Sequence, residues 1–233
     1  MKNLLNEKPK EESDLEGRLK YSCEYVSDID LRGKAVLDIG CGFGWFEKFC
    51  LKEGVTSVKG MELTENDLKT AIANVTNERA SFHPGSAIEI PFADNSFDTV
   101  VSWEVIEHIP RKTEDLMFRE IKRVLKPGGV FYMSTPYRSF LSTVMDPAWW
   151  LVGHRHYREK DLIEIGKNAG FSCMDSRLRG GIWEIFTWWN LYISKWVFRR
   201  GLFFEKYFLK KIDQEFRGGE KGFTNIFQRY QAH

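Results

Sequence analysis

The sequence predicts a single α/β domain built on a mostly parallel sheet with helices on both faces. Three features carry that prediction: short apolar runs without alternation, helical segments between them, and glycine or proline at the joints. Ala35-Val36-Leu37-Asp38-Ile39 is apolar at nearly every position, which suits a strand buried on both faces. A chain of 233 residues is the size of one ordinary domain with room for an appendage.

Residues 1–33 are polar, with Leu15, Leu19 and Tyr25 as the plausible anchors of a short helical extension. The first strand, 35–39, runs into glycines, and 45–53 reads as the helix that follows. A second strand at 57–62 leads to a helix at 65–76 capped by Thr64. Strands follow at 80–84 and 96–103, then a helix at 111–125. Pro127-Gly128-Gly129 stops that helix before a strand at 130–134. Gly170 ends a helix at 159–169, and 171–178 is the next strand. The core therefore spans 34–178, with an aromatic helical segment at 179–215 and a last strand within 216–233.

Composition excludes several classes. With 42% hydrophobic and 29% charged residues the chain is neither disordered nor fibrous. The net charge of +1 gives no global pull toward nucleic acid, yet it is unevenly spread: residues 176–233 hold eleven basic and five acidic side chains, and the remainder 23 and 28. Cys23, Cys41, Cys50 and Cys173 lack metal or disulfide spacing and read as reduced thiols. No signal-peptide run opens the chain, and 185–194 falls short of the roughly 20 apolar residues of a membrane span. A cytoplasmic protein, with peripheral membrane contact at most, is expected.

Gly40-Cys41-Gly42-Phe43-Gly44 directly follows the first strand. Glycines there allow a sharp turn and close approach of backbone to a ligand. Trp45 stands three residues after Gly42, where a pyrophosphate-binding loop carries Gly or Ala. Asp38 precedes the glycines, and a carboxylate repels phosphate but suits a cationic or amino-acid-bearing ligand. Glu62, ending the second strand with Leu63 beside it, suits the two hydroxyls of a ribose.

These runs, with Ile90-Pro91-Phe92, Ser96-Phe97-Asp98-Thr99-Val100-Val101-Ser102 and Val124-Leu125-Lys126-Pro127-Gly128-Gly129, resemble the class I S-adenosylmethionine-dependent methyltransferases over about 30–178. The likeness is to the type 11, ubiquinone-pathway-like small-molecule group. It implies a Rossmann-like seven-stranded sheet whose last strand is antiparallel, and S-adenosyl-L-methionine as cofactor. Asp38, Gly40, Cys41, Gly42, Gly44 and Trp45 would hold its methionyl part, Glu62 and Leu63 its ribose side, and Ser86-Ala87 its adenine. Serine departs from the Asp common there and would bind the adenine amine more weakly. Trp103 and Glu104 would lie beneath the sulfonium. Methyl transfer asks mainly for in-line positioning and dryness, so catalytic candidates are few: His108 and His154.

Glu104-Val105-Ile106-Glu107-His108, if on a helical turn, sets three ligand-type side chains on one face. Two carboxylates and an imidazole suit Mg²⁺, Mn²⁺ or Zn²⁺. The same spacing resembles the small-RNA 3′-end 2′-O-methyltransferases and the ubiquinone-pathway O-methyltransferases. In the RNA group a downstream His completes the set; here His154 and His156 are on offer. Glu104, Glu107, His108 and His154 are the metal candidates, against a metal-free reading in which they contact cofactor or backbone.

Ile182, Ile185, Phe186, Trp189, Tyr192 and Trp196 recur at helical spacing, and four of the eight Trp lie between Trp183 and Trp196. A second helix over 203–211 carries Lys206, Lys210 and Lys211. The alternation over 222–230 predicts the antiparallel edge strand, which makes the segment before it a helical insertion. A lid over the acceptor opening, a membrane-surface helix (182–211) and plain core all fit. The function expected is methyl transfer to a small or lipid-like acceptor at oxygen, with nucleic acid not expected as a partner. Two alternatives stand: a metal-dependent RNA 3′-end 2′-O-methyltransferase, and a non-catalytic cofactor-binding regulatory protein.

Overall fold

Strand β1 (Ala35–Ile39) is the centre from which the sheet grows. It pairs in parallel with β2 (Ser57–Glu62) on one side and β4 (Phe97–Trp103) on the other. Outward from these lie β3 (Ala80–Pro84) and β5 (Leu125–Pro136), also parallel. β7 (Asn225–Ala232) runs antiparallel between β5 and β6 (Phe171–Arg179), so the order is β3-β2-β1-β4-β5-β7-β6. The computed structural model describes residues 15–199, 201–218 and 222–233. Readings that fall on 1–14, the lack of a leader among them, and on Arg200 lie outside these.

This is the Rossmann-like seven-stranded sheet expected, with one correction. The last strand is antiparallel but is not the edge; β6 is. Ile226, Phe227, Gln228 and Tyr230 of β7 are all fully buried, so both faces of that strand are covered. β6 alternates only half-buried polar residues, as in Ser172, Asp175 and Ser176, and tolerates the open edge better.

Two apolar layers flank the sheet. On one face α4 (Glu114–Val124) and α7 (Glu159–Asn168) cover Phe131, Phe171 and Tyr230 through Phe118, Ile121 and Leu162. On the other, α2 (Trp45–Glu53) and α1 (Gly17–Tyr25) cover Val36, Tyr132 and Phe227. α3 (Glu65–Asn74) closes the β2–β3 end, its Thr64 cap accepting from the Asp67 N–H at 3.3 Å. The sequence pattern predicts no element for residues 137–158. They form α5 (Phe140–Met145) and α6 (Pro147–Val152), each only six residues long, too short for a periodic signal.

The insertion consists of α8 (Ile182–Trp196) and α9 (Glu205–Arg217), so the boundary drawn at 215 falls inside a helix. Its two halves differ physically. Ile212 and Phe216 of α9 are buried in the layer with Tyr21 and Phe227, the Phe216 ring lying 6.1 Å from that of Tyr21 and 6.3 Å from that of Phe227. Gly17, at a φ of 57°, lets α1 approach α9: a Cβ there would lie 2.5 Å from Ile212 Cγ2. Extension and insertion are thus packed on each other as core, whereas Trp196 and Val197 at the end of α8 are mostly exposed. Phe216→Ala should therefore cost about 3–5 kcal/mol of stability, and Trp196→Ser no more than about 0.5 kcal/mol. Denaturant unfolding of both variants measures the contrast, and equal losses would mean that α8 is as much core as α9.

Candidate active site

The ends of β1, β2 and β4 converge because their register does: Ile39 lies opposite Met61 on one side and Ser102 on the other. Gly40, Gly42 and Gly44 all have φ between 56° and 84°, a region that costs other residues energy. The turn they make is tied to β2. Gly40 and Cys41 donate their N–H groups to the Met61 carbonyl at 2.8 and 3.2 Å, and Gly42 donates to Glu62 Oε1 at 2.8 Å. Gly44 then caps α2, and Trp45 and Cys41 are buried behind the loop. Around the missing Cβ of Gly42 there is no heavy atom within 4 Å, so this peptide faces open space.

Beneath the loop lie two fully buried carboxyls, Asp38 and Glu47, and no donor from another residue reaches either. Burial pushes both well above the ordinary carboxylate range; the charge of Glu62 adds to the first and that of Asp38 to the second. The unpartnered oxygens of Asp38 suit a cation at the root of the loop. Glu62 is raised by burial too, against the pull of the Gly42 and Leu63 amides. Leu63 next to it is 70% exposed. Ser86 and Ala87 lie on a turn after β3, with Ala87 buried and Glu89 N–H donating to the Ser86 carbonyl at 3.0 Å. Arg123 and Glu120 of α4 hold the following residues through the Ile90 carbonyl and amide, each at 2.8 Å. Open glycine peptides, a buried cation acceptor and a ribose-type carboxylate fit S-adenosylmethionine.

Beyond β4 the structure departs from the expected helical turn. Residues 104–108 form a tight non-helical turn, closed by His108 N–H to the Val105 carbonyl at 2.8 Å. Glu104 takes a φ of 58°, costly for a non-glycine residue and typical of functional sites. Its carboxylate accepts from Arg18 of α1 at 2.9 Å and from Ser134 of β5 at 2.7 Å. Glu104 is therefore not in the ligand cluster proposed for it. Glu107, His108 and His154 are: one ligand atom from each lies within 4.8 Å of the others. Trp103 is buried against Phe46, ring centres 5.6 Å apart, with its indole N–H unpartnered.

Arg155 explains how His154 reaches this turn. Its guanidinium donates to the carbonyls of Glu107 at 3.0 Å and of Ile106 and Ile109 at 2.6 Å, and pairs with Glu114. It thus caps a turn whose carbonyls have no helix to bond. His154 Nδ1 lies 3.0 Å from Asp146 Oδ2, and His156 Nε2 lies 3.0 Å from the same oxygen. Burial alone would raise Asp146, but the two imidazoles hold it well below the usual carboxylate range. With Nδ1 committed, His154 Nε2 points toward Glu107 Oε1 at 3.9 Å. That oxygen is buried and unpartnered, while the other accepts from Thr135 at 3.0 Å. Burial raises the Glu107 carboxyl well above its ordinary value, and burial with the nearby His154 lowers His108.

Sequence reasoning missed Arg18, Glu47 and Asp146. Asp146-Pro147 did carry a signal, an N-cap before a first-turn proline, and Asp146 does accept from the Ala148 N–H at 2.8 Å. Nothing local announces Arg18 or the burial of Glu47.

Residues 37–133 match the model of a methyltransferase domain. The mitochondrial ubiquinone biosynthesis O-methyltransferase of Dictyostelium discoideum is 31% identical over 144 residues, 54% of this chain and 44% of that protein. A sterol 24-C-methyltransferase of Gibberella zeae is 37% identical over 103 residues, 42% of this chain and 27% of that protein. The chain spans about half or less of the length of the curated relatives it matches. Among solved structures, phosphoethanolamine N-methyltransferase 2 of Haemonchus contortus, bound to phosphomonomethylethanolamine and S-adenosylhomocysteine, superposes with a TM-score of 0.62. It is 25% identical, and the match covers 86% of this chain and 49% of that one.

If Glu62 holds the ribose, Glu62→Ala loses charged hydrogen bonds of about 1.5–3 kcal/mol each, and affinity for S-adenosylmethionine should fall at least about tenfold. Because burial raises this carboxyl, wild-type affinity should begin to fall on acidification at a pH above the ordinary carboxylate range, and Glu62→Gln should flatten the profile. Calorimetry across pH reads both; an unchanged Kd in a folded variant places the ribose elsewhere.

Proposed function

We propose, for a chain that carries a class I S-adenosylmethionine-dependent methyltransferase domain, that the whole protein methylates a hydroxyl of a small, largely apolar acceptor. The observation that carries this reading is the Asp146–His154 pair at 3.0 Å, beside the turn that leaves β4. When bound, the cofactor supplies an electrophilic methyl group on a sulfonium. Glu62 and the loop at 40–44 would fix its ribose and methionyl ends, and Asp38 its ammonium.

The acceptor side belongs to His154. Asp146 holds Nδ1 and leaves Nε2 as a lone-pair acceptor, the arrangement a general base requires. Nε2 would take the acceptor's hydroxyl proton as its oxygen attacks, and the bound sulfonium would supply the methyl group and keep the carbon–sulfur electron pair. Burial disfavours the charged form of Glu107, which makes it a poor competitor for the proton. An apolar acceptor is supported by the surroundings: α8 meets α5–α6, with Trp189 Nε1 donating to the Met145 carbonyl at 2.9 Å, just before Asp146. The relatives named above act on oxygen, carbon and nitrogen, so the choice of oxygen rests on the base.

A second reading is favoured by one observation, the three donors Glu107, His108 and His154 within 4.8 Å. They could hold a divalent cation, as a metal-dependent RNA-end methyltransferase would need, although Glu104 is not with them. Methyl transfer from labelled cofactor into hydroxylated apolar compounds and into RNA 3′ ends separates the readings. His154→Ala should lower kcat about 10²–10⁴-fold, Asp146→Asn by less, and chelation should leave the rate unchanged. Activity lost on chelation and restored by Mg²⁺, or transfer into RNA alone, would favour the second reading. Tight cofactor binding with no transfer into any pool would mean a non-catalytic protein.

A further inference from the structure

The cofactor and acceptor sites leave one part of the molecule unexplained. Phe140, Trp150, Trp196, Phe198, Phe204 and Tyr207 are each more than half exposed. At about 150–250 Å² apiece, they expose roughly 600–1,000 Å² of aromatic surface between them, more than the largest apolar patch of an ordinary monomer. They are linked in space. α6 packs on α8, and Asn190 of α8 clamps residue 203 by bonds to its N–H and carbonyl at 3.1 and 2.8 Å. Phe204 follows with a φ of 52°. A bulky residue in the left-handed region, its ring in solvent, gains no packing for that cost.

Charge identifies the occupant. Residues 182–211 contain six basic and two acidic side chains, and one of the acids, Glu184, is buried. Arg138, Arg199, Lys206 and Lys210 are exposed around the aromatics. The rest of the chain is acidic in balance, so the molecule is polarised toward this face. A two-fold dimer through it would set two identical cationic surfaces against each other. Aromatic rings rimmed by Lys and Arg suit the boundary of an anionic bilayer. No helix among the described residues is long and apolar enough to cross a membrane, so the contact lies in the surface.

We propose that α5, α6, α8 and the start of α9 form a docking face for an anionic lipid bilayer. The site it serves is next door: Asp146, which joins α5 to α6, is the residue that holds His154. The docking itself does not depend on the methyl-transfer reading.

Flotation of the full chain with phosphatidylcholine vesicles, with and without phosphatidylglycerol, tests this. Wild type should float with the anionic vesicles at low salt, lose most binding at high salt, and stay behind with phosphatidylcholine alone. Its Trp fluorescence should be quenched by lipids brominated on the acyl chains. Phe204→Ser with Trp196→Ser should weaken binding about tenfold or more, as should Lys206→Glu with Lys210→Glu. Thermal melts should show both pairs folded. Wild type left in the aqueous fraction with both vesicle types overturns the proposal. So does anionic binding that neither variant weakens, or a dimer in ultracentrifugation that Trp196→Ser dissociates while vesicles capture nothing.

Discussion

The turn that leaves β1 is the constraint on which the rest depends. Three glycines with positive φ at 40, 42 and 44 reverse the chain within five residues, and β2 fixes their position by accepting three N–H groups through Met61 and Glu62. Any side chain at these positions would be strained, and at Gly40 it would also meet Val105 Cγ2 at 2.5 Å. Val105 belongs to the turn after β4. The glycine loop and the turn after β4 are thus close neighbours, and the first can only sit where the second allows.

From there two guanidiniums organise the turn that leaves β4. Arg18 reaches from α1 to the strained Glu104, and Arg155 caps the carbonyls of the turn that carries Glu107 and His108. Arg155 replaces hydrogen bonds that a helix would have made internally, whereas Arg18 pairs with the Glu104 side chain. This is why the region can depart from helical geometry without leaving buried carbonyls unpaired, and why His154 arrives beside Glu107. Asp146 completes the arrangement as cap of α6 and common partner of two histidines.

The first half of the sheet was legible because β1 to β3 are short and bounded by turn residues such as glycine, asparagine and proline. β1, β2 and β3 and helix α2 fall at the residues the pattern predicts. The loop and Glu62 were legible for the same reason, since a strand end fixes where the next few side chains point. What was not legible depends on distant sequence. The position of β7 inside the sheet is decided by Ile226 and Phe227 finding cover on opposite faces. The spacing of Glu104, Glu107 and His108 suggested one face of a helix, but spacing cannot reveal that Arg18 and Ser134 claim Glu104. The mixed character of the insertion, core at Phe216 and surface at Trp196, likewise requires knowing that α1 packs on α9.

The central claim is that the glycine turn and the end of β2 together hold S-adenosylmethionine. Hydrogen exchange of the full chain, with and without saturating cofactor, reads this at the residues concerned. Exchange in peptides covering 40–44 and 62–63 should slow about tenfold or more on binding, with little change at the β6 edge. A folded protein whose exchange at 40–44 and 62–63 is unaltered by saturating S-adenosylmethionine would contradict the account.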